Sequence, residues 1–90
     1  HRTVTLTDLC SGLTKHLATH VAPVRVNCLV PGGILYNQDD NFLNKYSKNT
    51  PLNRMMNVSE ISGIVDLLCS ENSSYITGAT IPIDGGWTSW

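Results

Sequence analysis

No Gly-x-Gly-x-x-Gly fingerprint follows an apolar run anywhere in these 90 residues, so the chain brings no glycine-rich cradle for a dinucleotide phosphate. Cysteine is scarce and unpatterned. Cys10, Cys28 and Cys69 are odd in number and lack Cys-x-x-Cys spacing, which argues against a disulfide framework and against a zinc site. They are expected to be small buried hydrophobes in a reducing, cytoplasmic compartment. No apolar run reaches the ~18 residues of a membrane span, and no charged-then-apolar leader is visible. The chain opens on His1, which leaves an upstream segment open.

Charge is equally thin. Only 14% of residues are charged and the net charge is -1, so nothing here steers a polyanion and no nucleic-acid partner is expected. The run Lys45-Tyr46-Ser47-Lys48 reads as a solvated loop. With 41% hydrophobic residues the composition is that of an ordinary globular protein, not a disordered one. One domain at most fits this length, and such a short chain buries only about 60 to 65% of its unfolded surface.

What is present begins with Leu6, Leu9, Cys10, Leu13, Leu17 and Val21, which recur at three-and-four spacing. The spacing predicts an amphipathic helix over about 6–21, with Asp8 near its positive end and Pro23 closing it. Val24 to Val30 is a β-branched run that stops at Pro31-Gly32-Gly33, the pattern of a buried parallel strand feeding a loop. Ligands of open α/β sheets bind at such strand ends. A long polar stretch follows, with a short helix expected over 40–48. Asn57 and Glu60 stand at capping-box spacing before Ile61, Ile64, Val65 and Leu68, which predicts a helix over about 58–70. Ala79 to Asp84 reads as a second strand before Gly85-Gly86. Strand, crossover helix and strand form a right-handed βαβ unit with parallel strands.

Taken in order, Leu13-Thr14-Lys15, Ala22-Pro23, Arg25-Val26-Asn27 with Pro31-Gly32, Thr50-Pro51-Leu52 with Arg54, Leu67-Leu68-Cys69-Ser70, Ser74-Tyr75-Ile76-Thr77-Gly78 and Asp84-Gly85-Gly86 closely resemble the carboxyl-terminal half of short-chain dehydrogenases/reductases. The resemblance covers roughly residues 11–90, and residues 1–10 diverge from it. It implies an α/β fold in which 1–90 form the carboxyl-terminal part of a Rossmann-like parallel sheet: helix, strand, substrate loop over 34–56, helix, strand. Such a piece is incomplete as a free-standing fold. In that family the sheet binds NAD or NADP, and a Tyr with a Lys four residues later transfers the proton. The matching positions here are Thr3 and Thr7. A threonine hydroxyl is far less acidic than a phenol of pKa about 10, and threonine supplies no cation, so no catalytic residue is assigned.

By the same resemblance Pro31, Gly32 and the backbone of Ile34 bracket the nicotinamide. Tyr36 stands where the family often has Thr, and the turn between Pro23 and Arg25 is shorter than usual. The implied partners are a complementary amino-terminal family segment or a second copy, with Trp87 and Trp90 as a subunit contact, and a small-molecule substrate of the parent enzyme; no membrane is implied. The function implied is that of the carboxyl-terminal segment of an NAD(P)-dependent alcohol or carbonyl oxidoreductase, inactive as these 90 residues alone. The alternative is a non-enzymatic interaction or oligomerisation segment, presenting an open strand edge and the apolar face of its first helix.

Other residues favour plain readings. His16 and His20 have metal-ligand spacing but no third ligand, and a solvated helix face is preferred; no metal site is assigned. Ser11 and Ser47 lack a nucleophile-elbow context. Asp39 and Asp40 are expected to meet water, Met55 and Met56 to pack loosely beneath the loop, and Asp84-Gly85-Gly86 to form a structural turn.

Overall fold

The computed structural model describes the backbone of residues 6–89 and the side chains of residues 8–89. Its order is α1 (Leu6–His20), β1 (Cys28–Pro31), α2 (Asp40–Ser47), α3 (Val58–Cys69), a 3-10 turn (Glu71–Ser73), β2 (Thr80–Ile83) and a 3-10 turn (Trp87–Ser89). β1 and β2 pair in parallel, with Cys28 opposite Thr80 and Pro31 opposite Ile83. The expected helix, strand, loop, helix and strand are all present. Both strands are shorter than their apolar runs, because side chains replace the ladder at the point of entry. The Val26 amide donates to Thr77 Oγ1 at 3.1 Å, the Ala79 amide to Asn27 Oδ1 at 3.1 Å, and Asn27 Nδ2 to the Ile76 carbonyl at 3.1 Å.

Helix α1 does not pack through its leucines. Leu9 and Leu13 are each 59% exposed, and Leu17 and Val21 are exposed as well. The face turned to the strands is polar and small: Ser11, Thr14 at 6% exposure, and Ala18. Each polar group on it is satisfied. Thr14 Oγ1 donates to the Cys10 carbonyl at 2.7 Å, and Thr80 Oγ1 donates to Ser11 Oγ at 3.0 Å. Ala18 faces Gly78, where an added Cβ would stand 3.6 Å from the alanine methyl. Small residues let the helix approach the backbone, and the leucine stripe is left facing outward.

Helix α3 shows the same economy. Ile61, Ile64 and Leu68 are half-buried, whereas Val65, expected on the same face, is exposed. Its start is the capping arrangement read from the sequence: the Asn57 amide donates to Glu60 Oε1 at 2.9 Å. Its end is closed by Arg25, whose Nη2 donates to the carbonyls of Leu68 at 2.8 Å and Ser70 at 3.3 Å. Arg25 Nη1 also reaches the Ile76 carbonyl at 3.1 Å and the Oγ of Ser73 at 3.2 Å, and Ser73 is 1% exposed.

The cysteine expectation is overturned: Cys10 and Cys69 are exposed and Cys28 is half-buried, because the helix faces that hold the first two have nothing packed on them. Among the described residues only Ala18, Met55 and Met56 are buried hydrophobics, and the two methionines line a cavity of about 90 Å³. A two-stranded parallel sheet with so small a core is a partial fold, since parallel strands ordinarily need layers on both faces and more strands beside them. Among the described residues no helix is long and apolar enough to cross a membrane.

Candidate functional site

The site is assembled where β1 ends. The Gly32 amide donates to the Ile83 carbonyl at 2.8 Å, carrying the ladder one residue past Pro31. A Cβ on Gly32 would meet Asp84 Cα at 3.1 Å and the Tyr46 hydroxyl at 3.3 Å, so a side chain would crowd this approach of the two strand ends. After leaving through α2 the chain returns to the same spot. The Met56 amide donates to the Gly33 carbonyl at 3.0 Å and the Leu35 amide to the Met56 carbonyl at 2.7 Å, which pairs Ile34 with Met56 in parallel. Gln38 closes the loop locally: its Nε2 donates to the Ile34 carbonyl at 3.0 Å and its Oε1 accepts the Tyr36 amide at 2.7 Å. The Ile34 amide itself has no partner among the described residues.

Tyr46, on α2, lies over this turn. Its hydroxyl oxygen accepts the Gly33 amide, and its ring stands 4.9 Å from Trp87 and 6.1 Å from Phe42, centroid to centroid. Asp39, expected to meet water only, starts α2 by accepting the Phe42 amide at 2.8 Å. Trp87 is placed by the turn that precedes it. Asp84 Oδ1 accepts the Gly86 amide at 3.0 Å, and Oδ2 accepts the Thr88 hydroxyl at 2.7 Å and the Thr88 amide at 3.3 Å. The Thr88 hydroxyl bond, helped by those amides and opposed by partial desolvation, lowers the Asp84 pKa. Gly85 and Gly86 have φ of +63° and +90°, so the Asp84-Gly85-Gly86 segment is the structural turn expected.

Two cavities meet at Tyr46 and Asp84. The smaller, about 90 Å³, is lined by Gly33, Leu52, Met55 and Met56 among others. The larger, about 500 Å³, is a groove over the sheet lined by Val30, Gly32, Pro82, Trp87 and Thr88 as well. Beside the smaller cavity Arg54 grips Glu60 with two bonds of 2.6 and 2.8 Å. The Arg54 bonds, with the Asn57 amide next, hold the Glu60 pKa down from its ordinary 4.5 to about 2. The folded value lies below the unfolded one, so the associated stability is present above pH 4.5 and is lost as pH falls toward 2. Both groups are exposed, which makes the effect on stability small. A carboxylate titration followed by carbon NMR should place Glu60 near 2 in the native chain and move it back toward 4.5 in Arg54→Gln.

Pro31, Gly32 and Ile34 follow one another at the strand end, Pro31 exposed and the other two half-buried; Pro31 and Gly32 line the larger groove, and Ile34 lines neither of the two cavities. Tyr36 points elsewhere, at 83% exposure. Thr3 lies outside the described residues, as do the side chain of Thr7 and Trp90. The rings of His16 and His20 lie tilted with centroids 4.0 Å apart and His20 Nδ1 2.9 Å from the His16 carbonyl, and no cluster of three metal-ligating side chains exists among the described residues. Ser47 stands at the exit of α2, its carbonyl accepting the Thr50 amide at 3.3 Å. Sequence reasoning missed Tyr46, because its partner Gly33 is fixed by tertiary packing and not by spacing.

This strand-end turn with a returning loop is the carboxyl edge of a parallel α/β sheet, and comparison gives the family. The family model described as enoyl-(acyl carrier protein) reductase matches residues 8–88. The chain belongs to the short-chain dehydrogenase/reductase family. It is similar to dehydrogenase/reductase SDR family member 4 of Sus scrofa, 44% identical over 86 residues, covering 87% of this chain and 31% of that protein. It is also similar to a tropinone reductase homolog of Arabidopsis thaliana, 41% identical over 81 residues, covering 84% of this chain and 30% of the relative. Among solved structures, a short chain dehydrogenase from Leptospira borgpetersenii with bound NAD+ superposes with a TM-score of 0.80 at 48% identity, covering 87% of this chain and 32% of the other. A 4-hydroxyisoleucine dehydrogenase complexed with NADH gives 0.81 at 30% identity, over 89% and 36%. The chain therefore spans about a third of the length of the proteins it matches.

Proposed function

We propose that these residues are the nicotinamide-facing, carboxyl-terminal part of an NAD(P)-dependent oxidoreductase acting on an alcohol or carbonyl compound. The observation that carries this reading is the Ile34 amide, left without a partner beside the Pro31-Gly32 turn in a chain whose family match runs through residues 8–88. The donor set fits one end of the cofactor. A carboxamide needs a main-chain partner at a surface without side chains, and the Ile34 amide beside Gly32 and Gly33 offers a donor there; nothing among the described residues fits the diphosphate. When bound, the nicotinamide supplies the hydride chemistry. The chain's own share is to orient that ring with Pro31, Gly32 and Ile34 and to cover the reacting face with residues 34–56.

Proton transfer is the missing share, since Thr3 and Thr7 stand at the positions of the family's Tyr and Lys. The 90-residue chain, mixed with NAD or NADP and a panel of alcohols, is expected to show no turnover. Co-expressed with an amino-terminal family segment carrying the phosphate loop, Tyr and Lys, it is expected to assemble with that segment and regain turnover. Activity of the chain alone overturns the reading. A reducing, cytoplasmic setting suits its free thiols at Cys10, Cys28 and Cys69.

A second reading, as an interaction or oligomerisation segment, is favoured by the exposed leucines of α1 and by β1, which among the described residues has a strand on one side only. The alternation of parallel pairing turns Leu29 and Pro31 to the other edge, and Pro31 has no amide to offer there. That edge is a weak template for an arbitrary strand and suits a partner shaped to it. Native mass spectrometry separates the readings: a complex with a larger family segment favours the first, self-association alone the second.

A further inference from the structure

We propose that His16 and His20 form a two-nitrogen clamp for a divalent transition metal at the carboxyl end of α1, with His20 binding through Nε2. The inference stands apart from the cofactor reading and uses a face of the chain that the cofactor turn does not touch.

Position is the first support. Residues four apart are neighbours on a helix surface, and here the ring centroids are 4.0 Å apart with the ring planes at 31°. Both histidines are exposed, whereas Thr14 and Ala18, on the face turned to the strands, are buried. Two nitrogens that share one ion at about 2.0–2.1 Å each come within roughly 4 Å of one another. The present ring separation is already of that order, so closure asks for side-chain rotation and not for a change in the helix. A solvated face is what the sequence predicts for these residues, and solvent access is what an exchangeable ion needs.

The hydrogen bonds are the second, because they decide which nitrogen His20 offers. Its Nδ1 lies 2.9 Å from the His16 carbonyl and 3.1 Å from Thr19 Oγ1. A carbonyl only accepts, and the Thr19 hydroxyl donates its own proton to that same carbonyl at 2.8 Å. Two acceptors therefore face Nδ1, which carries the proton, and the lone pair of the neutral ring is on Nε2. A ring N–H held by a backbone carbonyl is the arrangement that orients metal-ligating histidines and raises the basicity of the opposite nitrogen.

The helix end is the third. His20 is the last residue of α1, where the negative end of the dipole favours a cation. No third histidine, cysteine or carboxylate joins the pair among the described residues, so water completes the shell of the ion. Two imidazoles and water suit nickel(II) or copper(II), and differ from the closed four-ligand shell of structural zinc.

The test titrates the ¹⁵N-labelled 90-residue chain, His16→Ala and His20→Ala with nickel(II), a probe that the free thiols of Cys10, Cys28 and Cys69 do not reduce. Both positions are exposed, so neither alanine disturbs packing. At less than one equivalent, nickel is expected to broaden the amides around residues 16–20 ahead of all others. Each alanine is expected to weaken that binding about a hundredfold, because a second ligand on the same helix acts at a high effective concentration. In the metal-free chain above about pH 8, where imidazole is neutral, the ring nitrogen shifts of His20 are expected to place the proton on Nδ1. Equal nickel affinity in the native chain and either variant overturns the clamp, as does broadening centred on another part of the chain. A His20 ring with its proton on Nε2 overturns it as well, whatever the nickel titration gives.

Discussion

Arg25→Ala should lower stability by about 2–4 kcal/mol, the scale of a charged hydrogen-bond donor removed from several partly buried acceptors. The guanidinium serves four oxygens on one side of the molecule: the carbonyls of Leu68, Ser70 and Ile76, and the hydroxyl of Ser73. The first is a last-turn carbonyl of α3 without an intrahelical donor, the second belongs to Ser70 just past the helix, and the positive charge also complements that end of the helix dipole. Ser73, almost wholly buried, lies 2.7 Å from the Leu67 carbonyl and 3.1 Å from that of Ser70, so its own network loosens when Arg25 is cut back. Lysine should recover little, because a single ammonium cannot reach acceptors spread across two elements as a planar fork does. Urea titration measures the difference directly. In a domain of this size each kcal/mol moves the melting temperature by roughly 4–8 °C, so the alanine variant should melt some tens of degrees at most below the native chain, with the loss concentrated where α3 meets the β2 entry.

The sequence disclosed the elements because each has a local cause. Pro23 ends α1, the Pro31-Gly32-Gly33 stop ends β1, Asn57 with Glu60 starts α3, and Gly78 precedes β2. Local causes do not say which face packs. On α1 the leucine period is real, yet the strands take Ser11, Thr14 and Ala18, since the helix must come close to Gly78 and only small groups allow it. The leucines are left exposed, as are Cys10 and Cys69. The candidate site divides the same way. Pro31, Gly32 and Ile34 are assigned by resemblance to the family's strand-end turn, while the residues alone say only that a parallel strand stops there, where such sheets bind ligands. Tyr46, Arg54 with Glu60, and Asp39 belong to a polar stretch whose sequence has no period to read, and their partners are chosen by how the loop folds back on Gly33 and Met56.

Gly86→Ala should be the most damaging change in the turn that closes the site, at about 2–4 kcal/mol, from left-handed backbone strain and a steric clash together. Its φ of +90° is outside the range L side chains adopt readily, and a Cβ would press on the Pro51 ring at 2.6 to 3.0 Å. Gly85 makes the control. At φ +63° it too is left-handed, but a Cβ there would meet Thr50 and Leu52 at 3.6 Å and beyond, an ordinary contact. Gly85→Ala should therefore show strain alone, about 1 kcal/mol. The difference between the two variants isolates how firmly Pro51 seats the returning loop on the β2 turn. That seat also includes the Leu52 amide bonded to the Gly85 carbonyl at 3.0 Å, and Thr50, buried, whose Oγ1 donates to the Ser47 carbonyl at 3.2 Å. Because Trp87 follows Gly86 directly and lies tilted against Tyr46, its fluorescence reads the same event from the site's side. Gly86→Ala should change that emission before global unfolding, while Gly85→Ala leaves it native until the chain unfolds. Equal losses in the two variants would show that the loop rests on its own turn and not on Pro51.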